Sequence, residues 1–401
     1  MTPRESIGYG LDALVIFRSL QSDPVIRSLM QFCHTDRTNL PAQIRFYSAM
    51  AAALYDKTDS LTDYIKTLVL EHEQVCAVRA GAGEEIPDAM KQCLYTELAL
   101  FERIAMLTPA QLQAEMTSVV PLPVWRVEKI DLKAAYDKRT ADIEKCGYGN
   151  FAKFHMFTVN RSGEIVPVEH PDPIKLTDLV GYERERKEAV DNIFALLDGN
   201  YAMNVLLSGD AGTGKSATVK AIANTYCDKG LRLIELTKDQ LCFIPQILDR
   251  LCKNPLKFIL FIDDLTFSED DPNFGTLKAI LEGSISARMK NTVIYATSNR
   301  RHIVKESFGD GNDKHENDTV QERLSLSERF GITITYSKPQ KQLYLEIVNA
   351  LAKQSGLDMD EDKLAMEAEQ FAMRKSGRSA RAARQLIDQL LITHNKKKEA
   401  E

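Results

Sequence analysis

The segment Gly209-Asp210-Ala211-Gly212-Thr213-Gly214-Lys215-Ser216 has the spacing G-x-x-x-x-G-K-[ST]. Each residue type in it answers a need of phosphate chemistry. Glycines let successive backbone N–H groups curl around phosphate oxygens. The helix that follows, read over Ala217 to Tyr226, would turn its positive end toward the same charge. Lys215 would reach the β- and γ-phosphates and neutralise charge during transfer. The Ser216 hydroxyl would ligate Mg²⁺. A second site follows at Asp263-Asp264, directly after the apolar run Phe258-Ile259-Leu260-Phe261-Ile262. Carboxylates at the C-terminal end of a buried parallel strand lie where a doubly wound sheet places its ligands. Asp263 is the candidate for holding Mg²⁺, and Asp264 for polarising an attacking water. Paired acids in such a place also serve as turns or helix caps; the phosphate loop upstream favours the chemical role.

These residues need strands to carry them. Val205–Leu207, Leu231–Leu236, Phe258–Ile262, Thr292–Ala296 and Ile332–Tyr336 read as short buried strands separated by helical segments. That alternation predicts an α/β fold, a parallel five-stranded sheet with helices on both faces. Ahead of the phosphate loop, Asp178 to Gly181 leads into an amphipathic helix with Val190, Ile193, Phe194 and Leu197 on one face, stopped at Gly199. After Pro339 the chain reads as helical through Leu343–Leu351 and Ala380–Leu391, a small lid. Lys396-Lys397-Lys398-Glu399 reads as a frayed, solvated end.

The first 150 residues have a different texture. Leu61, Tyr64, Ile65, Leu68 and Val69 recur at helical spacing behind Ser60, an N-cap with Asp63 three residues on. Thr108-Pro109-Ala110-Gln111 marks another helix start. The region carries no Gly-rich loop, no His-Glu cluster and no nucleophile elbow, and its stripes read as core. Between the two textures, Phe154, Met156 and Thr158 alternate into Asn160-Arg161-Ser162-Gly163, followed by Ile165, Val166 and Val168, a hairpin. His170-Pro171-Asp172-Pro173 is an extended connector. The expected organisation is therefore a helical domain over 1–150, hairpin and linker over 151–173, an α/β domain over 174–338, and a helical lid with a basic tail over 339–401.

Composition narrows the classes. The chain has 401 residues, 44% of them hydrophobic and 27% charged, with a formal net charge of −6. This argues against disorder and against nucleic-acid binding through a global basic field. Seven scattered cysteines show no CxxC pair and no metal spacing, which reads as reduced thiols. The longest apolar run near the N-terminus, Leu14 to Phe17, is far short of a membrane span. A soluble, cytoplasmic protein with no membrane partner is expected.

From about 174 to 395 the chain resembles an AAA+ ATPase, closest to a widespread bacterial group of predicted ATP-binding proteins whose role is undefined. The likeness rests on Leu179-Val180-Gly181-Tyr182-Glu183, the phosphate loop, Leu231 to Glu235 and Phe258 to Phe267. It continues through Ala296 to His302, Leu324 to Gly331 and Gly377 to Asp388. The resemblance implies ATP and Mg²⁺ as ligands. It implies that Val180 and Gly181 line the adenine pocket and that Asn299 is a polar sensor orienting the attacking water. Arg329 matches the arginine finger offered to a neighbouring subunit's site. Arg381 matches the lid arginine that senses the γ-phosphate, with Arg378 and Arg384 as rivals. Most of the superfamily has Asp-Glu where this chain has Asp263-Asp264. The shorter side chain predicts slow basal hydrolysis, stimulated by a partner or by assembly.

Three functions follow from this resemblance. The first is a homo-oligomeric ring or partial ring that remodels or loads an unknown client, with the N-terminal helical region holding that protein client or an adaptor. The second is an ATP-dependent switch with little turnover. The third is a nucleic-acid factor resembling a helicase loader, ranked last because the sequence shows no helix-turn-helix, no zinc finger and no basic stripe beyond Arg300-Arg301. The polar stretch Glu306 to Asp318 reads as a regulatory loop or a plain insertion.

Overall fold

In the computed structural model, Leu231–Leu236 and Lys257–Ile262 run side by side at the centre of one sheet, because most of their residues are apolar and all but Glu235 and Lys257 are buried. The structure describes residues 2–114, 116, 120–267, 271–282, 290–299, 328–375 and 377–398. Contacts divide the chain into a unit of residues 1–153 with 253–255, and a unit of 154–252 with 256–401.

The first unit is helical. Its helices are α1 (Pro3–Asp12), α2 (Pro24–His34), α3 (Leu40–Tyr55), α4 (Leu61–Glu71), α5 (Val75–Gly81), α6 (Asp88–Ala105), α7 (Pro109–Gln113), α8 (Leu132–Ala141), α9 (Ile143–Cys146) and α10 (Asn150–Lys153). Ser60 caps α4 by accepting from the Asp63 N–H at 3.2 Å, and Thr108 and Gln111 form a reciprocal capping box on α7. Their apolar faces close over a core that includes Phe17, Phe32, Tyr47, Phe101 and Trp125.

The second unit is built on a seven-stranded sheet. Its strands are β1 (Met156–Val159), β2 (Ile165–Pro167), β3 (Val205–Gly209), β4 (Leu231–Leu236), β5 (Lys257–Ile262), β6 (Thr292–Ser298) and β7 (Ile332–Tyr336). The order is β2-β1-β4-β5-β6-β3-β7, parallel throughout except for the β1–β2 hairpin. The five strands expected from sequence are all present. The count of five is corrected by the hairpin. It is not a free-standing connector: β1 pairs parallel to β4, with Met156 opposite Leu233, because Met156, Phe157 and Val159 bury themselves at that edge.

Helices α11 (Glu183–Leu197), α12 (Lys215–Tyr226), α13 (Ile244–Leu251) and α14 (Pro272–Leu281) belong to this unit. The buried face of α11 is Ala189, Asn192, Ile193 and Leu196, turned from the expected one, on which Val190, Phe194 and Leu197 are half-buried. A polar residue sits inside because the Asn192 amide donates to the Met203 carbonyl at 2.9 Å and to the Tyr295 hydroxyl at 3.1 Å.

The lid helices Lys341–Gln354, Glu361–Arg374 and Ala380–Lys398 share a core of their own around Tyr344, Val348, Leu364, Ala383 and Ile387. The middle helix was not expected. Its signal is Asp360, whose carboxylate caps the Lys363 N–H at 3.1 Å. The last helix runs on through Lys398, where a frayed end was expected; Glu399 lies outside the described residues.

Candidate functional site

β3 delivers the phosphate loop at its C-terminal end. Gly209 has φ 124°, and a Cβ there would stand 2.1 Å from the Tyr336 carbonyl oxygen, so the first loop residue must be glycine. The same carbonyl accepts the Asp210 N–H at 3.0 Å, and the Asp210 carboxylate accepts the Lys338 N–H at 2.9 Å. Strand β7 and the start of the lid segment thus brace the loop. At its far end Gly214 (φ 95°) leads into α12 with no side-chain cap, which leaves the first N–H groups of that helix without a side-chain acceptor.

Lys215 is buried. Its ammonium donates to the carbonyls of Gly209 at 3.0 Å and Asp210 at 2.7 Å, and to Asn299 Oδ1 at 3.0 Å. Burial pulls its pKa below the ordinary lysine value, opposed by the negative charges of Asp210, Asp263 and Asp264. This cation sits among neutral oxygens, a setting that an arriving phosphate would complete.

β5 leads into the two acids, and β6 brings the side chains that hold them. Asp263 Oδ1 accepts the Ser216 hydroxyl at 2.6 Å and also the Thr297 hydroxyl. Thr297 Oγ1 in turn accepts the Asp264 N–H at 2.9 Å, so one threonine holds the Asp263 carboxylate and the Asp264 backbone. Asn299 donates from Nδ2 to Asp264 Oδ1 at 2.7 Å. Lys215, Asn299 and Asp264 therefore form a continuous chain from the phosphate loop to the second acid. Asp264 has φ 52°, the left-handed region that Asp and Asn occupy more readily than longer side chains. That backbone accounts for aspartate where the family resemblance leads one to expect glutamate.

These groups open into one cleft of about 520 Å³, a volume suited to a small molecule. One end is lined by Gly212 to Thr218, Asp263, Asp264, Thr297 and Asn299. The other is apolar, with Ile174, Leu179, Val180, Ile347 and Leu351, and the lid contributes Arg381 and Arg384. The lid also touches the loop directly: the Arg381 N–H donates to the Gly212 carbonyl at 3.1 Å.

Of the expected residues, Val180, Gly212, Thr213, Gly214, Lys215, Ser216, Ala217, Asp263, Asp264, Asn299 and Arg381 converge on this cleft. Gly209, Asp210, Ala211 and Gly181 are not among its lining residues: the first two brace the loop, Ala211 is exposed, and Gly181 packs behind Val180 against Leu343. Arg329 is elsewhere, with its guanidinium on the Glu282 carboxylate at the end of α14, Nε to Oε1 at 2.8 Å. Arg378 is held by Glu369 through two contacts of 2.9 and 2.6 Å, whereas Arg381 and Arg384 both face the cleft. Arg300, Arg301, residues 306–318 and 324–327 lie outside the described residues. Sequence reasoning gave no role to Thr297, although it stands two residues before Asn299 at the end of the same strand. Arg186, which also lines the cleft, carries no motif that could have marked it.

The donor set fits Mg²⁺. Ser216 and Asp263 offer two hard oxygens side by side at the phosphate loop. Mg²⁺ is commonly held by one or two protein oxygens, with waters and phosphates completing its shell. No cluster of three or more His, Cys, Asp or Glu side chains suited to a metal exists among the described residues.

Residues 151–394 match the model of a family described as Protein of unknown function (DUF815). No curated protein matches the chain. Among solved structures, the Thermotoga maritima RuvB Holliday junction branch migration motor is similar at 16% identity and TM-score 0.38, over 53% of this chain and 63% of that one. Two single-residue mutants of the T. maritima protein are similar at 17% identity and TM-score 0.39, over 55% of this chain and 66% or 67% of theirs. The chain thus spans 63% of the first of these structures, and likenesses this distant carry no functional assignment. The family match is of another order: it runs from the hairpin through the sheet into the last lid helix, and the chain belongs to this family of unknown function.

Proposed function

We propose that the chain is a Mg²⁺-dependent ATP hydrolase that works as a homo-oligomer, a ring or partial ring, on a protein client or adaptor. The observation that carries this reading is the Lys215–Asn299–Asp264 chain standing beside the Ser216–Asp263 pair in one cleft. The loop N–H groups and Lys215 bind the phosphates. Ser216 and Asp263 hold Mg²⁺, which supplies positive charge against the phosphate oxygens. Asp264 accepts a proton from the attacking water, and Asn299, bonded to both Asp264 and Lys215, fixes that water's orientation. Arg381 follows the γ-phosphate from the lid. Arg329, absent from the chain's own cleft, completes the site of a neighbouring subunit, where its guanidinium offsets charge in the transition state. The seven unbridged cysteines accord with a reducing, cytoplasmic setting. No helix among the described residues is long and apolar enough to cross a membrane.

A second reading is favoured by the bond between the Arg381 N–H and the Gly212 carbonyl. A lid tied to the phosphate loop would report nucleotide state to a partner with little turnover. Titration calorimetry with ATP and Mg²⁺, on the native chain and on Lys215→Ala, tests what the two readings share. Both require ATP binding that Lys215→Ala removes. A native chain that binds no ATP refutes both. Binding with no hydrolysis at any protein concentration leaves the switch.

A further inference from the structure

We infer that Glu183 and Arg186 form a clamp that sets the apolar end of the cleft, which makes Arg186 a positioning residue for nucleotide affinity. The inference rests on the reading of the cleft as a nucleotide site. Gly181 and Tyr182 are consecutive left-handed residues, with φ 76° and 59°. Such a turn is costly at the tyrosine and persists only where its surroundings hold it. Both peptide groups of Gly181 are tied to one ion pair. Its N–H donates to Glu183 Oε1 at 3.0 Å, the same oxygen accepts Arg186 Nη2 at 3.2 Å, and Arg186 Nη1 donates to the Gly181 carbonyl.

The burial of the pair is lopsided. The Arg186 side chain is 13% exposed and lines the cleft, while Glu183 is 75% exposed. The turn is also fitted from both sides. The Tyr182 ring lies 5.2 Å from that of Tyr336, and its hydroxyl donates to the Ser337 carbonyl at 2.7 Å. Across from it, a Cβ on Gly181 would come within 2.7 Å of Leu343 Cδ1 on the first lid helix. Val180, directly before the turn, lines the cleft with Ile347 and Leu351. The clamp therefore fixes the wall on which a base would lie without touching the phosphate loop. A plain helix-start pair at i and i+3 would add a little helix stability and leave nucleotide affinity alone.

The test measures two ligands on the full chain by calorimetry with Mg²⁺ present: ATP, which uses both ends of the cleft, and tripolyphosphate, which uses only one. In Arg186→Gln, ATP affinity falls about tenfold through lost preorganisation, while tripolyphosphate affinity holds. KM for ATP rises with it and kcat at saturation stays. Arg186→Lys, which keeps charge but loses the fork, recovers part of the loss. Adding Glu183→Ala to Arg186→Gln costs less than Glu183→Ala costs alone, because the two side chains hold the same turn. Unchanged ATP affinity in Arg186→Gln overturns the clamp alone. An equal loss for tripolyphosphate overturns it too, because Arg186 then serves the phosphates or the loop's folding. A native chain that binds neither ligand overturns the nucleotide reading and the clamp together.

Discussion

Asp264→Asn separates the charge of the second acid from its shape. At φ 52° asparagine is as well accommodated as aspartate, so the turn after β5 is kept. The new side chain still offers an oxygen to Asn299 Nδ2, 2.7 Å away in the native chain. Only the ability to accept the water's proton is lost. General-base catalysis of this kind contributes about 10²- to 10⁴-fold, or about 2.7–5.4 kcal/mol of barrier at about 1.36 kcal/mol per decade. The side chain is exposed, so folding stability shifts by no more than about 0.5 kcal/mol. Removing a negative charge beside the phosphates leaves ATP affinity unchanged or tighter. The assay is single-turnover hydrolysis at saturating Mg²⁺-ATP, with equilibrium binding measured alongside. A rate within threefold of native, with binding intact, would refute the role given to Asp264.

Other expectations follow from the same geometry. Asp264→Glu, which restores the commoner acid, does not speed hydrolysis, because at φ 52° glutamate is disfavoured relative to aspartate by up to about 1 kcal/mol and its longer chain displaces the carboxylate from Asn299; single-turnover rates check this. Arg381→Ala weakens ATP binding more than Arg378→Ala in parallel calorimetry, because Arg378 is spent on Glu369 outside the cleft. Glu282→Gln moves turnover by no more than about fivefold, because an ion pair this exposed is worth at most about 1 kcal/mol. ATP binding takes up protons on the alkaline side. Burial holds Lys215 below its ordinary pKa in the free chain, and phosphate raises it. Affinity is therefore complete below the free-state value and declines as pH rises through the bound-state value. Calorimetry of the native chain in two buffers of different ionisation enthalpy reads that uptake, and the same binding enthalpy in both buffers on the alkaline side would refute it.

The strands that carry the site were legible because central parallel strands are mostly apolar and buried, as in Leu231–Leu236; Ile332–Tyr336, at the edge of the sheet, alternates buried and exposed residues and also matches its expected range. The phosphate loop was legible because backbone geometry dictates its glycines. The hairpin's pairing with β4 was hidden, because alternation tells which face is buried but not which strand lies alongside. The phase of α11 was misjudged because Asn192 is buried by partners distant in sequence. The Asp264 backbone could not be foreseen from an Asp-Asp pair, nor the Glu183–Arg186 clamp from an ordinary charged helix start.

ATP turnover per subunit across a wide range of protein concentrations, with Arg329→Ala alongside, tests the central claim of a hydrolytic site shared between subunits. The account predicts a rate that rises cooperatively with concentration in the native chain and stays flat in the variant, with ATP still bound by both. A rate per subunit that is constant with concentration, or one that Arg329→Ala leaves intact, would contradict it.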